Sequence, residues 1–190
     1  MRKLTVRDEQ PADIPAIYAL TRAAFAKDGR TNGDEQEIVN ALRDDGDLTM
    51  SLVATNMDEA IIGHIAFSPV TISDGTQGWY AAGPISVMPT RQRAGIGSQI
   101  ATEGLERMKA MGARGLVLLG DPGAYARFGF APDPDLILPG FPPEYFQVQM
   151  FGALHDAGLG LDHCDIVDPF PRFGHTALLV GKEGKLSKRL

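Results

Sequence analysis

The chain has 190 residues, 44% hydrophobic and 22% charged, which is the composition of a globular domain and not of a disordered segment. A single cysteine, Cys164, excludes an intramolecular disulfide and a multi-cysteine zinc site, and apolar runs such as Leu116–Leu119 fall far short of the roughly 18 residues a membrane helix needs. Eighteen lysines and arginines against twenty-four acids give a net charge of −6, which argues against broad binding to nucleic acid or an anionic membrane, since both require an exposed basic surface.

The first residues, Met1–Asp8, hold no apolar stretch of the secretory kind, so a cytoplasmic location is expected. Leu4 and Val6 alternate with polar neighbours and predict a short strand. After Pro11 and Asp13, residues Ile14, Ile17, Tyr18, Leu20, Ala24 and Phe25 recur at helical spacing. A polar break, Lys27–Gly33, leads to a second helix over Glu35–Arg43, ended by Asp44–Asp47. Three extended runs follow, Leu48–Thr55, Ala60–Ile72 (interrupted at Ser68-Pro69) and Trp79–Met88, separated by turns at Met57–Glu59 and Asp74–Thr76; this predicts an antiparallel meander.

The pattern then changes. Ile96, Ile100, Ala101, Leu105, Met108 and Met111 place one apolar face on a helix from Gly95 to Met111, stopped by Gly112. Gly115–Leu119 is a continuous apolar run of the kind a buried parallel strand shows. The unit Trp79–Leu119 therefore reads as one right-handed strand–helix–strand crossover added to antiparallel strands. Asp121–Arg127 predicts a short helical turn, and five of the thirteen prolines fall within 132–143, predicting a stiff loop. Tyr145–Phe151 and Thr176–Val180 read as further strands, and Gly184–Leu190 as a frayed end.

The most informative segment is Val87-Met88-Pro89-Thr90-Arg91-Gln92-Arg93-Ala94-Gly95-Ile96-Gly97-Ser98, which follows a strand and opens a helix. The first turn of a helix offers unpaired amides and the positive end of its dipole. Glycines there let backbone approach an anion. Five basic residues and two acids between Pro89 and Gly115 make this region locally +3, the setting of a phosphate cradle. On Gly95-Ile96-Gly97 alone, a turn that only packs helix on strand fits equally well. The segment is not a Walker loop, because no Lys-Ser/Thr follows the glycines, and not a dinucleotide fingerprint, because the third glycine is absent.

Val87-x-Pro89-x-x-Gln92-x-x-Gly95-x-Gly97 resembles the acetyl-CoA signature of the GNAT superfamily of N-acetyltransferases. Gly120-Asp121-Pro122-Gly123-Ala124-Tyr125-Ala126-Arg127-Phe128-Gly129-Phe130 resembles the family's second motif, in which a tyrosine begins a short helix. Together with Ser51–Ala54 and Gly63–Val70, this form is similar to the bacterial YhbS-type branch, over roughly residues 2–152. The resemblance implies a mixed α/β fold: a central, mostly antiparallel sheet splayed between its fourth and fifth strands and flanked by helices. It also implies a domain over 1–152, with 153–190 as an extension docked on it.

The resemblance further implies that acetyl-CoA is a co-substrate whose pantetheine extends the strand at Ile85, Ser86 and Val87, as a peptide does in β-augmentation. Its pyrophosphate would sit on the amides of Arg93, Ala94, Gly95, Ile96, Gly97 and Ser98, with Gln92 also counted in the cofactor site. A backbone N–H near Val87 would take the developing oxyanion, and Tyr125 would protonate the leaving thiolate. Glu37, in preference to Glu35, is the implied general base, with a solvated helix face as the competing role and Ser86 as an alternative holder of a water. His64, on an apolar strand, reads as a satisfied core residue. Phe141, Tyr145 and Phe146 flank the proline loop and either wall the acceptor pocket or fill core. His155, His163, Asp165 and His175 lack ligand spacing, so no metal is expected, and an acyl-enzyme through Cys164 is not. The expected activity is acetyl transfer to an unidentified primary amine of a small molecule or peptide. A non-catalytic acyl-CoA sensor and a longer-chain acyltransferase stay open, as does a homodimer contact through the extension.

Overall fold

Polar–apolar alternation at the amino end forms strand β1 (Thr5–Asp8), which pairs antiparallel with β2 (Met50–Thr55). The structure, a computed structural model, describes residues 4–26 and 33–152, and the backbone strands at 164–167 and 179–180. Helix α1 (Ile14–Phe25) has Pro15 in its first turn, where no amide donor is needed, and buries Ile17, Leu20, Thr21 and Phe25. Helix α2 (Glu35–Asp45) runs two residues past the expected Arg43. It stops where Gly46 takes a left-handed conformation, and not at the aspartates themselves.

The expected long run at 60–72 divides into β3 (Ile61–Pro69) and a separate β4 (Thr71–Ile72). Strand β5 (Trp79–Val87) returns antiparallel to β3. Helix α3 (Ile96–Ala110) then carries the chain over to β6 (Gly115–Gly120), which is parallel to β5. This is the predicted crossover. The fourth and fifth strands of the sequence reading are thus β5 and β6.

Beyond β6 lie a one-turn helix α4 (Pro122–Tyr125), β7 (Leu136–Ile137), β8 (Phe146–Met150), β9 (Cys164–Val167) and β10 (Leu179–Val180). The main sheet has seven strands in the order β1-β2-β3-β5-β6-β10, with β8 also on β6. A second sheet of three strands has the order β4-β9-β7. The proline loop is therefore more than a spacer, since it contributes β7. Strand β9 has no counterpart in the sequence reading.

Side chains of β6 alternate between two cores, which is why its sequence is apolar throughout. Leu116 and Leu118 join Leu52, Ile65, Phe67, Ile100, Leu105 and Met108 beneath α3. Val117 and Leu119 join Ile38, Leu42, Trp79, Phe146 and Val148 beneath α2. Phe146 is 2% exposed, a core residue, with Phe141 and Tyr145 packed against the same cluster. A smaller cluster of Ile17, Val39 and Val53 ties α1 and α2 to β2. Among the described residues no helix is long and apolar enough to cross a membrane.

Candidate active site

Two parallel strands part at the centre of the sheet. The β5–β6 pairing covers only Trp79–Ala81 against Gly115–Val117. From Ala82 onward no described strand pairs with β5 on that side, while its other edge stays bound to β3 through Val87. The cause is local. Ile65 pairs with Ile85 and Phe67 with Ala82, so β5 spends three steps where β3 spends two. This bulge at Gly83-Pro84 bends β5 away from β6. Ile85 and Val87 thus lie on a strand edge with backbone groups directed into a cleft, while the alternate residue between them, Ser86, turns its own toward His64 of β3.

The edge runs straight into the glycine-containing loop. Gln92 donates from Nε2 to the Val87 carbonyl at 3.2 Å, so its side chain fastens the loop to the end of β5. Arg93 has φ +61° and Gly95 φ +83°. These left-handed residues set the turn between β5 and α3; the first is strained for a residue with a Cβ, and glycine relieves the second. The first bond of α3 runs from the Gln99 amide to the Gly95 carbonyl at 3.0 Å. The amides of Ile96, Gly97 and Ser98 therefore precede the helical ladder. Arg91, Gln92, Arg93, Ala94 and Gly95 are exposed, whereas the Ile96 side chain is buried in the core and offers only its backbone. A Cβ at Gly95 would meet nothing within 4 Å, so the space over the loop is open to a ligand. These features fit a bound pyrophosphate.

Across the cleft, Asp121 accepts a hydrogen bond from the Gly123 amide at 2.8 Å and starts α4. Tyr125 is the last residue of that turn and caps the start of a second short helical turn, Ala126–Phe128. Its ring stands edge-on to Phe130, with centroids 6.2 Å apart, at the rim of the α3-side core.

On the opposite face of the sheet the polar groups are arranged differently. Ser86 is fully buried and its Oγ donates to Thr21 Oγ1 at 3.1 Å, so its side chain faces α1. Glu37 is exposed on the first turn of α2 and accepts the Tyr18 hydroxyl. That bond raises the Tyr18 pKa, because the neutral phenol is the form that donates. Glu35, four residues before Val39, is 1% exposed.

His64 pairs in register with Ser86. It is more than a plain core residue. Glu9 accepts a two-pronged bond from Arg43 at 2.8 and 3.0 Å and a further bond from the Ser51 hydroxyl. Ser51 Oγ lies 2.9 Å from His64 Nε2. With the Ser51 proton directed at Glu9, Nε2 is the ring's donor. Among the described residues, His64 Nδ1, a buried acceptor, has no hydrogen-bond partner. Burial pushes the imidazole down to about 4, so it is neutral near pH 7, and its 3.9 Å approach to Glu9 is not an ion pair. For Glu9, burial acts to raise the pKa, but the bonds from Arg43 and Ser51 overcome it and the net shift is downward.

The sequence reading missed this network and Thr21. Its members are far apart in the chain, and no spacing links them. His155, His163 and His175 lie outside the described residues, and among the described residues no group of three His, Cys, Asp or Glu side chains is placed to hold a metal.

A family model described as "Acetyltransferase (GNAT) domain" matches residues 5–132. The chain belongs to the GNAT family of acetyltransferases. It is 39% identical over 127 residues to YhbS of Escherichia coli strain K12, named an uncharacterized N-acetyltransferase, covering 67% of this chain and 73% of that one. The crystal structure of Escherichia coli YhbS in complex with CoA superposes with a TM-score of 0.79 at 35% identity, over 92% of this chain and 95% of that one. A GNAT family acetyltransferase from Brucella melitensis, in complex with acetyl-CoA, gives a TM-score of 0.70 at 45% identity, over 80% and 90% of the two chains.

Proposed function

We propose that the protein transfers the acetyl group of acetyl-CoA to a primary amine by direct attack. The observation that carries this reading is the free edge of β5 beyond Ala81, which leads without interruption into the exposed amides before Gln99. Pantetheine completes its hydrogen bonds on Ile85–Val87. The amides from Arg93 to Ser98 hold the pyrophosphate, with Arg91 and Arg93 adding charge at the rim. A backbone amide near Val87 stabilises the oxyanion as the amine attacks, and Tyr125 gives its proton to the departing thiolate. Glu37 receives the amine's proton; its exposed place beside Tyr18 supports an acceptor that enters between α1 and α2. Residues 1–152 form the catalytic domain. The extension 153–190 docks on it, supported by the pairing of β9 with β4 and β7.

The test is CoA-thiol release from acetyl-CoA across a panel of amines. Amine-dependent release is expected. Tight CoA binding with no release for any amine would favour a sensor instead.

A further inference from the structure

An apolar slot lies where β5 and β6 first separate. Ala82 and Leu118, each one residue past the last β5–β6 pair, stand on either side of it. Ile85 continues one wall, Leu105 of α3 covers it, Tyr125 stands at its rim and Phe67 of β3 forms its inner end. Among the described residues, every side chain that lines it is hydrocarbon apart from the Tyr125 hydroxyl. Its enclosed volume is only about 20 Å³, about one water-sized group. A water there would lack the two or more polar partners it needs. A methyl group would lose nothing.

The end wall is held firmly. Phe67 is fully buried, and its ring lies against the backbone of α3 at Gly104, where an added Cβ would come within 2.6 Å of the ring tip. The ring cannot retreat toward α3 to lengthen the slot. Ala82, its register partner on β5, keeps the entrance open by being small.

We propose that this slot receives the acyl end of acyl-CoA and that Phe67 and Ala82 restrict it to the acetyl group. The inference rests on the acetyltransferase reading, which places the thioester beside Tyr125, and it adds the acyl selectivity of that site. Pantetheine running inward along Ile85 delivers its sulfur near the Tyr125 rim, so the acyl carbon chain continues toward Phe67. One methylene more or less in such a pocket changes selectivity by about 10- to 200-fold.

Calorimetry with CoA, acetyl-CoA and butyryl-CoA tests this without an amine. The wild-type protein should bind acetyl-CoA at least about tenfold more tightly than butyryl-CoA. Phe67→Leu, which shortens the end wall, should bring the two within about threefold. Ala82→Val, which narrows the entrance on a partly exposed strand, should weaken acetyl-CoA about tenfold and leave CoA unchanged, because CoA carries no acyl group. If the leucine variant does not fold, the valine variant decides alone. Equal wild-type affinity for both acyl-CoAs, an unaltered acetyl-to-butyryl ratio in a folded leucine variant, or an unaltered acetyl-CoA affinity in the valine variant overturns the assignment. Wild-type protein that binds no CoA at all refutes the acetyltransferase reading beneath it.

Discussion

Tyr125 combines a phenol beside the cleft with a ring that packs on Phe130, and two substitutions separate these roles. Phe keeps the ring and removes only the hydroxyl, and a positioned general acid is worth about 10²- to 10⁴-fold. Tyr125→Phe should lower kcat by that order and leave CoA affinity nearly unchanged. A Phe variant within about threefold of wild type, with Ala much worse, assigns Tyr125 to packing alone. His64 gives a prediction on stability. An imidazole in an unfolded chain titrates near 6.5, whereas this one is held down to about 4 by burial. Between these pH values the unfolded chain takes up a proton that the folded chain refuses. The stability is therefore complete above pH 6.5 and is lost as the pH falls toward 4, by roughly 3 kcal/mol. The urea midpoint of the wild type should drop across this window. The His64→Leu variant should be flatter over most of it, because Glu9, whose pKa is also lowered, loses its contribution only as the pH falls below its ordinary value near 4.5. Superimposable profiles for the two proteins would show that burial does not keep His64 neutral.

At the level of elements, the junction of β5 and α3 is the proposed anion site, and Gly97→Asp tests it with little risk to the fold. A Cβ at Gly97 would rest 3.4 Å from Val87 Cγ2, an ordinary contact, and a carboxylate in the first turn favours the helix dipole. Any loss of CoA affinity then arises at the ligand, from the added side chain and its negative charge, and not from damage to the fold. Calorimetry should show at least about a tenfold weakening with an unchanged melting temperature; unaltered affinity in the folded variant would place the pyrophosphate elsewhere. This junction was legible in the sequence because both of its signals are local: a 3.6-residue apolar period and glycines at its start. The bulge at Gly83-Pro84 was not legible, because it is defined by register against β3, a partner that the residues of β5 do not name. The separate β4 and the unforeseen β9 were hidden for the same reason. Two- and four-residue strands carry too few alternations to show a period, and their identity comes only from each other. The hydrogen-bonded run from Arg43 through Glu9 and Ser51 to His64 links a helix, the residue that follows β1, and two strands. Composition and spacing therefore left His64 reading as simple core.

For the whole molecule, the arrangement at the mouth of the splay bears on the proposed entry of acetyl-CoA. Strand β8 holds one edge of β6 up to Leu119. Strand β10 pairs parallel with Leu119 and Gly120, so it takes the other edge, the one that β5 vacates beyond Val117. Pantetheine bonded to Ile85–Val87 would enter the same gap from the β5 side. A gap between two strands accommodates one extended chain, since neighbouring strands stand about 4.8 Å apart. Backbone pairing of β10 and cofactor loading are then alternatives. When only a fraction of molecules is open to a ligand, apparent affinity falls by that fraction. Removing residues 168–190 deletes β10 and keeps β9 with its bonds to β4 and β7. The truncated protein should retain its melting temperature within a few degrees and bind CoA severalfold more tightly than the full chain. A truncated protein that is equally stable but binds CoA no better, or less well, would mean that β10 does not bar the cleft and that the extension instead supports the bound molecule.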